Sequence, residues 1–152
     1  MPRNSTQPPA PPWQNSHPII LVSACLIGLA TRYDGERLAD DTCLKELKKM
    51  GAIVIPVCPE QLGGLATPRG AANIIGGDGE DVLAGRARVI SDKGEDVTDA
   101  FLLGAEQVLT LIRRQPVSAI FLKSRSPSCG ITPRLGVTAA LLARHGYELR
   151  EF

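Results

Sequence analysis

Three cysteines occupy the same kind of position along this chain. Cys25 follows Ile19-Ile20-Leu21-Val22, Cys58 follows Ile53-Val54-Ile55-Pro56-Val57, and Cys129 lies in the turn after Val117 to Leu122. Each apolar run reads as a buried strand, so each thiol falls just past a strand end. The third turn, Lys123-Ser124-Arg125-Ser126-Pro127-Ser128-Cys129-Gly130, adds serines and two cations, and Pro127 and Gly130 keep it from becoming helix. Thiolates are soft ligands that select zinc, copper(I) or iron–sulfur clusters. Structural zinc sites usually draw on local Cys pairs, and no Cys-x-x-Cys pair is present. Three thiolates on separate loops can instead hold three irons of a cubane cluster and leave the fourth open as a Lewis acid with affinity for sulfur. Free cysteines also serve as small buried hydrophobes; that reading weakens when three share one topological position. Cys43, inside a predicted helix, is read as a packing residue.

Other groups gather near these thiols in the sequence. Glu60, two residues after Cys58, points toward the same mouth as a general acid or base, or is a solvated loop glutamate. Ser126 and Ser128 can donate to a ligand or to cluster sulfur, or form an ST-turn; for Ser128 the turn is the safer reading. Arg32, Arg69, Lys123, Arg125 and Arg134 fall in loops on the same predicted edge, where only a minority need meet substrate. Gly76-Gly77-Asp78-Gly79 lacks the ending and the strand–turn–helix context of a phosphate loop. His17 and His145 are not placed as partners of a catalytic triad.

Composition narrows the function classes. The chain has 152 residues, one domain's worth, with 17 Lys plus Arg against 16 Asp plus Glu. That balance argues against an extended nucleic-acid surface. Four isolated cysteines do not make a secreted disulfide scaffold, so a reducing, cytoplasmic setting is expected. Residues 19–30 superficially resemble a signal h-region, but one Arg and six prolines precede them and twelve residues are too few to span a bilayer. Residues 1–17 read as a disordered Pro-rich tail and 18–152 as a single domain.

Strands are expected at 19–24, 53–57 and 117–122, with a last one near Tyr147 to Leu149. Helices are expected from Asp40 to Met50, with Leu44 and Leu47 on one face, from Thr98 to Arg113, capped by Asp96 or Thr98, and from Gly136 to His145. The second strand reads as covered on both faces. Cys58 to Gly85 reads as a long functional loop or lid, followed by a short edge strand from Arg86 to Ile90. This alternation predicts an α/β fold: one parallel sheet flanked by helices, Rossmann-like, with the site at the C-terminal ends of the strands. The thiols, 33 and 71 residues apart, then meet in space.

An ordered set of motifs adds a resemblance. Val22-Ser23-Ala24-Cys25-Leu26, Arg32-Tyr33-Asp34-Gly35, Cys58-Pro59-Glu60, Gly63-Gly64-Leu65, Pro68-Arg69, Asp96-Val97-Thr98, Ser126-Pro127-Ser128-Cys129-Gly130 and Gly136-Val137-Thr138-Ala139-Ala140 occur in that order. Over about residues 19–150 the chain resembles the bacterial domain-of-unknown-function family that includes the [4Fe-4S]-dependent thiouracil desulfidases. The resemblance implies a [4Fe-4S] cluster held by Cys25, Cys58 and Cys129. It also implies that water replaces sulfur in a small thiolated, nucleobase-like substrate and that sulfide is released. Glu60 and Ser126 match the positions implicated in catalysis. Two departures stand out: only Ile131 to Leu135 bridge Cys129-Gly130 and the Gly-Val-Thr segment, and Asn73 lies near where an acidic residue is usual. A non-catalytic sensor or structural module with a cluster or zinc, and a sulfur carrier or transferase, are the alternative functions.

Overall fold

The computed structural model describes residues 17–152. The expected tail lies outside the described residues except for His17, whose Nδ1 stands 2.9 Å from the Gly51 carbonyl oxygen.

Four strands form one parallel sheet: β1 (Ile19–Ser23), β2 (Ile53–Val57), β5 (Val117–Leu122) and β6 (Leu149–Glu151), in the order β2-β1-β5-β6. The period of two in each strand divides the core. Ile20, Val22 and Phe121 face one side, where they pack with Leu26, Cys43 and Leu47. Leu21, Ile120 and Leu122 face the other and pack against Val108, Leu109, Ile112 and Leu142. The first layer contains α1 (Asp41–Met50), the second α4 (Thr98–Arg113) and α5 (Val137–Arg144). Helices on both faces of a parallel sheet give the expected α/β architecture. The chain leaves β1 for β2 in one direction and β5 for β6 in the other. A crevice therefore opens beyond the C-terminal ends of β1 and β5.

Several expectations are corrected. The second strand is an edge strand, not a covered one: Ile53 is 52% exposed, and Pro56 sits in register with Val22. A proline cannot donate to a ladder, so it belongs on an edge. On α1 the buried pair is Cys43 and Leu47, four residues apart on one face, while Leu44 is exposed. Asp40 caps this helix by accepting from Cys43 N at 2.8 Å. On α4 the N-cap position is Val97, with no side-chain cap, not Asp96 or Thr98; Asp96 Oδ1 accepts from Thr98 N at 3.0 Å just before the helix. The last helix and strand begin one and two residues later than expected, at Val137 and Leu149.

Nor is the stretch from Cys58 to Gly85 a loop or lid. It holds α2 (Pro59–Leu62), β3 (Ala72–Ile75) and α3 (Gly79–Leu83). The expected edge strand forms as β4 (Arg88–Ser91), but it pairs antiparallel with β3 in a separate two-stranded sheet. Ile74, Val82 and Val89 of this segment pack on Phe101 and Ala105 of α4. That anchorage fixes the chain between Cys58 and Asn73 over the crevice.

One close approach positions α2. A Cβ at Gly104 of α4 would lie 2.0 Å from the Pro59 carbonyl oxygen. Gly104→Ala must push α2 away, and with it Cys58 and Glu60. We expect a loss of about 1–3 kcal/mol of stability, read as a lower urea midpoint at unchanged slope.

Candidate functional site

Ser23 ends β1, and the chain turns at once into a single 3-10 turn, Ala24–Ile27, that carries Cys25. Cys58 directly follows β2 and precedes Pro59 at the first position of α2, which suits proline because its missing N–H would be unpaired there. Cys129 lies in the turn between β5 and α5. That turn is fastened to the helix: Val137 N donates to Pro127 O at 2.9 Å, and Thr138 N and Ala139 N donate to Ser128 O at 2.9 and 3.1 Å. Gly136 allows the contact, since a Cβ there would meet Ser128 backbone at 2.5 Å. The short exit after Gly130 is pinned by Glu151, whose carboxylate accepts from Thr132 N at 2.8 Å and from Ile131 N. Burial works to raise the Glu151 pKa, but these bonds and that of the Thr132 hydroxyl outweigh it and hold the carboxyl below its ordinary range.

These turns enclose a cavity of about 380 Å³ whose wall includes Cys25, Cys58 and Cys129 together with Glu60, Ser126 and Ser128. Of the five predicted loop cations, Arg32, Arg69, Lys123 and Arg125 reach this cavity. Arg134 does not; it lines an adjacent hollow and donates to the carbonyls of Ile74 and Gly77 at 3.3 Å. Arg125 is exposed and holds a left-handed backbone, φ 60°, an unusual conformation for a residue with a side chain. His145 is exposed at the far end of α5, beside Arg113.

Glu60 is buried and tied at both oxygens. Arg69 Nε donates to Oε1 at 3.1 Å, and Ser128 Oγ donates to Oε2 at 3.0 Å. Arg69 is half-buried as a residue, with its side chain 9% exposed. It spends its remaining donors on Thr67 Oγ1 at 2.8 Å, Thr31 O at 2.9 Å and Cys58 Sγ at 3.8 Å. It is therefore a clamp on Glu60 and the Cys58 loop rather than a free cation for substrate. Removing one partner of such a buried pair strands the other charge, so Arg69→Ala is expected to cost about 3–5 kcal/mol. Thermal denaturation of the variant reads this directly.

The serine roles are the reverse of the simplest sequence reading. Ser126 Oγ accepts from Ser128 N at 3.2 Å and Cys129 N at 3.1 Å, so Ser126 forms the turn. Ser128, 2% exposed, reaches Glu60. The two hydroxyl oxygens lie 3.0 Å apart. Because Ser128 gives its hydrogen to the carboxylate, Ser126 gives its own to Ser128, and a hydroxyl chain runs Ser126 to Ser128 to Glu60. Neither the Arg69 clamp nor the Ser128 bond has a signal in local sequence spacing.

The thiols sit in a desolvated wall. Burial pushes the Cys129 pKa up to about 12, against hydrogen bonds from Ser23 and Ser128 that lower it. Burial also raises that of Cys25, opposed by Lys123 and Arg32. Cys43 is fully buried on the other side of the sheet and its thiol is pushed up to about 11, first by burial and then by Asp40. Among the described residues no three His, Cys, Asp or Glu side chains are placed to hold one metal ion. Thiolates on a single zinc must converge to roughly 4 Å of one another, given Zn–S bonds of about 2.3 Å. The three thiols around one cavity are soft donors of the kind that zinc or an iron–sulfur cluster takes.

The sequence model of the 2-thiouracil desulfurase family matches residues 20–151. The chain belongs to that family. It is 43% identical over 144 residues to the uncharacterized protein YbbK of Bacillus subtilis (strain 168), covering 86% of this chain and 93% of YbbK. Its fold is similar to a solved structure of the [4Fe-4S]-dependent thiouracil desulfidase TudS, with TM-score 0.69 and 36% identity, covering 88% of this chain and 90% of that one. As a member of the 2-thiouracil desulfurase family it carries the family's α/β fold, and the site just described falls within the matched residues. Among the described residues no helix is long and apolar enough to cross a membrane.

Proposed function

We propose that residues 18–152 form an iron–sulfur-cluster-dependent desulfidase domain that removes sulfur from a small thiolated compound such as a thiouracil. Water takes the place of sulfur at carbon, and sulfide leaves. The observation that carries this reading is the grouping of three thiols around the cavity that also holds the Glu60 carboxylate. Cys25, Cys58 and Cys129 would hold a [4Fe-4S] cluster, which would supply a soft Lewis acid for the sulfur of a thiocarbonyl. Cysteines that are all free suit a reducing cytoplasmic setting.

The remaining chemistry belongs to the chain's own residues. Glu60 takes a proton from the water that attacks carbon and passes it toward the departing sulfide. Arg69 and Ser128 hold the carboxylate in one orientation, so it meets the reacting atoms without rearranging. Ser126 is the outer end of the hydroxyl chain on the cavity wall, where a proton can enter or leave. Lys123 and Arg125 bring positive charge to the mouth, while Arg32 is paired with Asp34 at 2.9 Å; the positive charge favours polar, electron-rich heterocycles.

The test follows 2-thiouracil absorbance with anaerobically reconstituted protein while uracil and sulfide are measured in the same samples. Equal amounts of both products, over many turnovers, support the reading. Holoprotein that keeps sulfide bound after one equivalent is a sulfur carrier. Holoprotein that leaves every thiolated base intact is a sensor or structural module.

A further inference from the structure

Asn73 carries the one carboxamide among the described residues that line the cavity. Alternation along β3 sets it opposite Ile74, which is buried and packs on Phe101 and Ala105 of α4. Asn73 therefore faces away from that core and stands exposed at the cavity rim. Its backbone is held in register with Ile90 of β4, and Asp92 N donates to Ala71 O at 2.7 Å just before the strand. Asn73, Arg125 and Ser126 line both the cavity and the adjacent hollow, so the amide lies on the same boundary as the outer end of the hydroxyl chain.

Neighbouring charged groups of the wall already have partners. Glu60 is tied to Arg69 and Ser128, Arg32 to Asp34, and Lys123 Nζ donates to Ser124 Oγ at 3.3 Å. The Asn73 amide takes part in none of these bonds. A planar carboxamide offers N–H donors beside an oxygen acceptor. Cations only donate and an ionised carboxylate only accepts, so neither matches a donor and an acceptor that stand side by side on a ring. A carboxamide does, as when Asn pairs with both N6 and N7 of adenine.

We propose that Asn73 is the specificity residue of this cavity and reads one edge of the substrate ring, a ring N–H that stands between the thiocarbonyl and a carbonyl. The inference rests on the reading of the cavity as a site for small thiolated heterocycles. With sulfur turned toward the thiol-bearing wall, the adjoining N–H and carbonyl meet Asn73 at the rim. Its Oδ1 accepts from the N–H and its Nδ2 donates to the carbonyl oxygen. The pair fixes the rotation of the ring in its own plane. It selects thiopyrimidinones, in which both groups are present, over thiolated rings without that carbonyl.

The experiment compares wild type, Asn73→Leu and Asn73→Asp as anaerobically reconstituted full chains, with iron per chain measured first. Leucine keeps the volume and loses both polar atoms, whereas aspartate keeps the shape and puts a second acceptor in place of the donor. KM and kcat are measured on 2-thiouracil. The sulfur-free rings uracil and 3-methyluracil are then measured as competitive inhibitors, since the methyl group removes the N–H of the edge in question. Wild type is expected to bind uracil roughly 10–100-fold more tightly than 3-methyluracil, the range of one two-bond pair. At equal iron and near-equal kcat, both variants are expected to raise KM by a similar factor, and Asn73→Leu to bring the ratio of the two rings close to one. A substitution that only loosens the fold weakens both rings alike and leaves their ratio at the wild-type value. An unchanged KM or an unchanged ratio in Asn73→Leu, or turnover confined to rings without the carbonyl, would overturn the proposal. Wild-type holoprotein that turns over no thiolated base removes instead the desulfidase reading beneath it.

Discussion

Cys129→Ser is expected to lose the cluster and, with it, more than about 100-fold in turnover, since even groups outside the ligands cost 10–100-fold in metal affinity or activity. The geometry makes Cys129 the most demanding of the three positions. It is 3% exposed, its turn is bonded through backbone to the start of α5, and its sulfur lies 3.7 Å from the Ser128 hydroxyl. Serine keeps the volume and the turn but replaces a soft donor with a hard one that is far harder to deprotonate. The fold should survive, because the bonds from Thr138 N and Ala139 N go to Ser128 O and not to the thiol. Iron analysis and circular dichroism on the same sample separate loss of cluster from loss of structure. Cys43→Ala serves as the control. Its thiol is buried among Ile20, Val22 and Phe121 on the opposite face of the sheet, so it should lower stability and leave iron per chain unchanged.

Glu60→Gln is expected to keep iron and lose about 10²–10⁴-fold in the rate of sulfide release, the usual contribution of a positioned acid or base. Arg69 decides how the new amide sits. Its Nε–H needs an acceptor where Oε1 stood, so the amide oxygen turns toward Arg69 and the NH2 toward Ser128. Ser128 must then accept instead of donate, and the hydroxyl chain from Ser126 reverses or breaks. Substrate binding should change little, because Glu60 lies in the wall and is held there by Arg69 and Ser128, one bond to each oxygen. A rate loss confined to kcat, with iron content and KM near wild type, supports the proton role. Full turnover in Glu60→Gln would contradict it.

Part of this site is legible in the amino-acid sequence. The run at Ile19 to Val22 is continuously apolar, that at Val117 to Leu122 is broken only by Ser118, and α4 has a clear 3.6 periodicity, so strands and helix fall where expected. Parallel strands flanked by helices put all loops of one kind on one edge, which is why thiols 33 and 71 residues apart share a cavity as expected. Pro56 is the sign in the sequence that β2 lies on an edge. The stretch from Cys58 to Gly85 is opaque for a different reason: α2, β3 and α3 are four or five residues long, too short to show a period, and β3 and α3 are held by packing on α4. Side-chain partners are hidden as well. Ser128 meets Glu60 across 68 residues and Ser23 meets Lys123 across 100. Such contacts depend on how loops converge, and nothing in local spacing announces that Ser126 builds the turn while Ser128 reaches the carboxylate.

The central claim is that Cys25, Cys58 and Cys129 together hold a four-iron cluster. Iron and acid-labile sulfide per chain, measured after anaerobic reconstitution, test it most directly. About four of each per chain are expected, falling toward zero when any one of the three cysteines is replaced and unaffected by replacing Cys43. A chain that binds a single zinc ion, or retains about two irons or fewer, would contradict it.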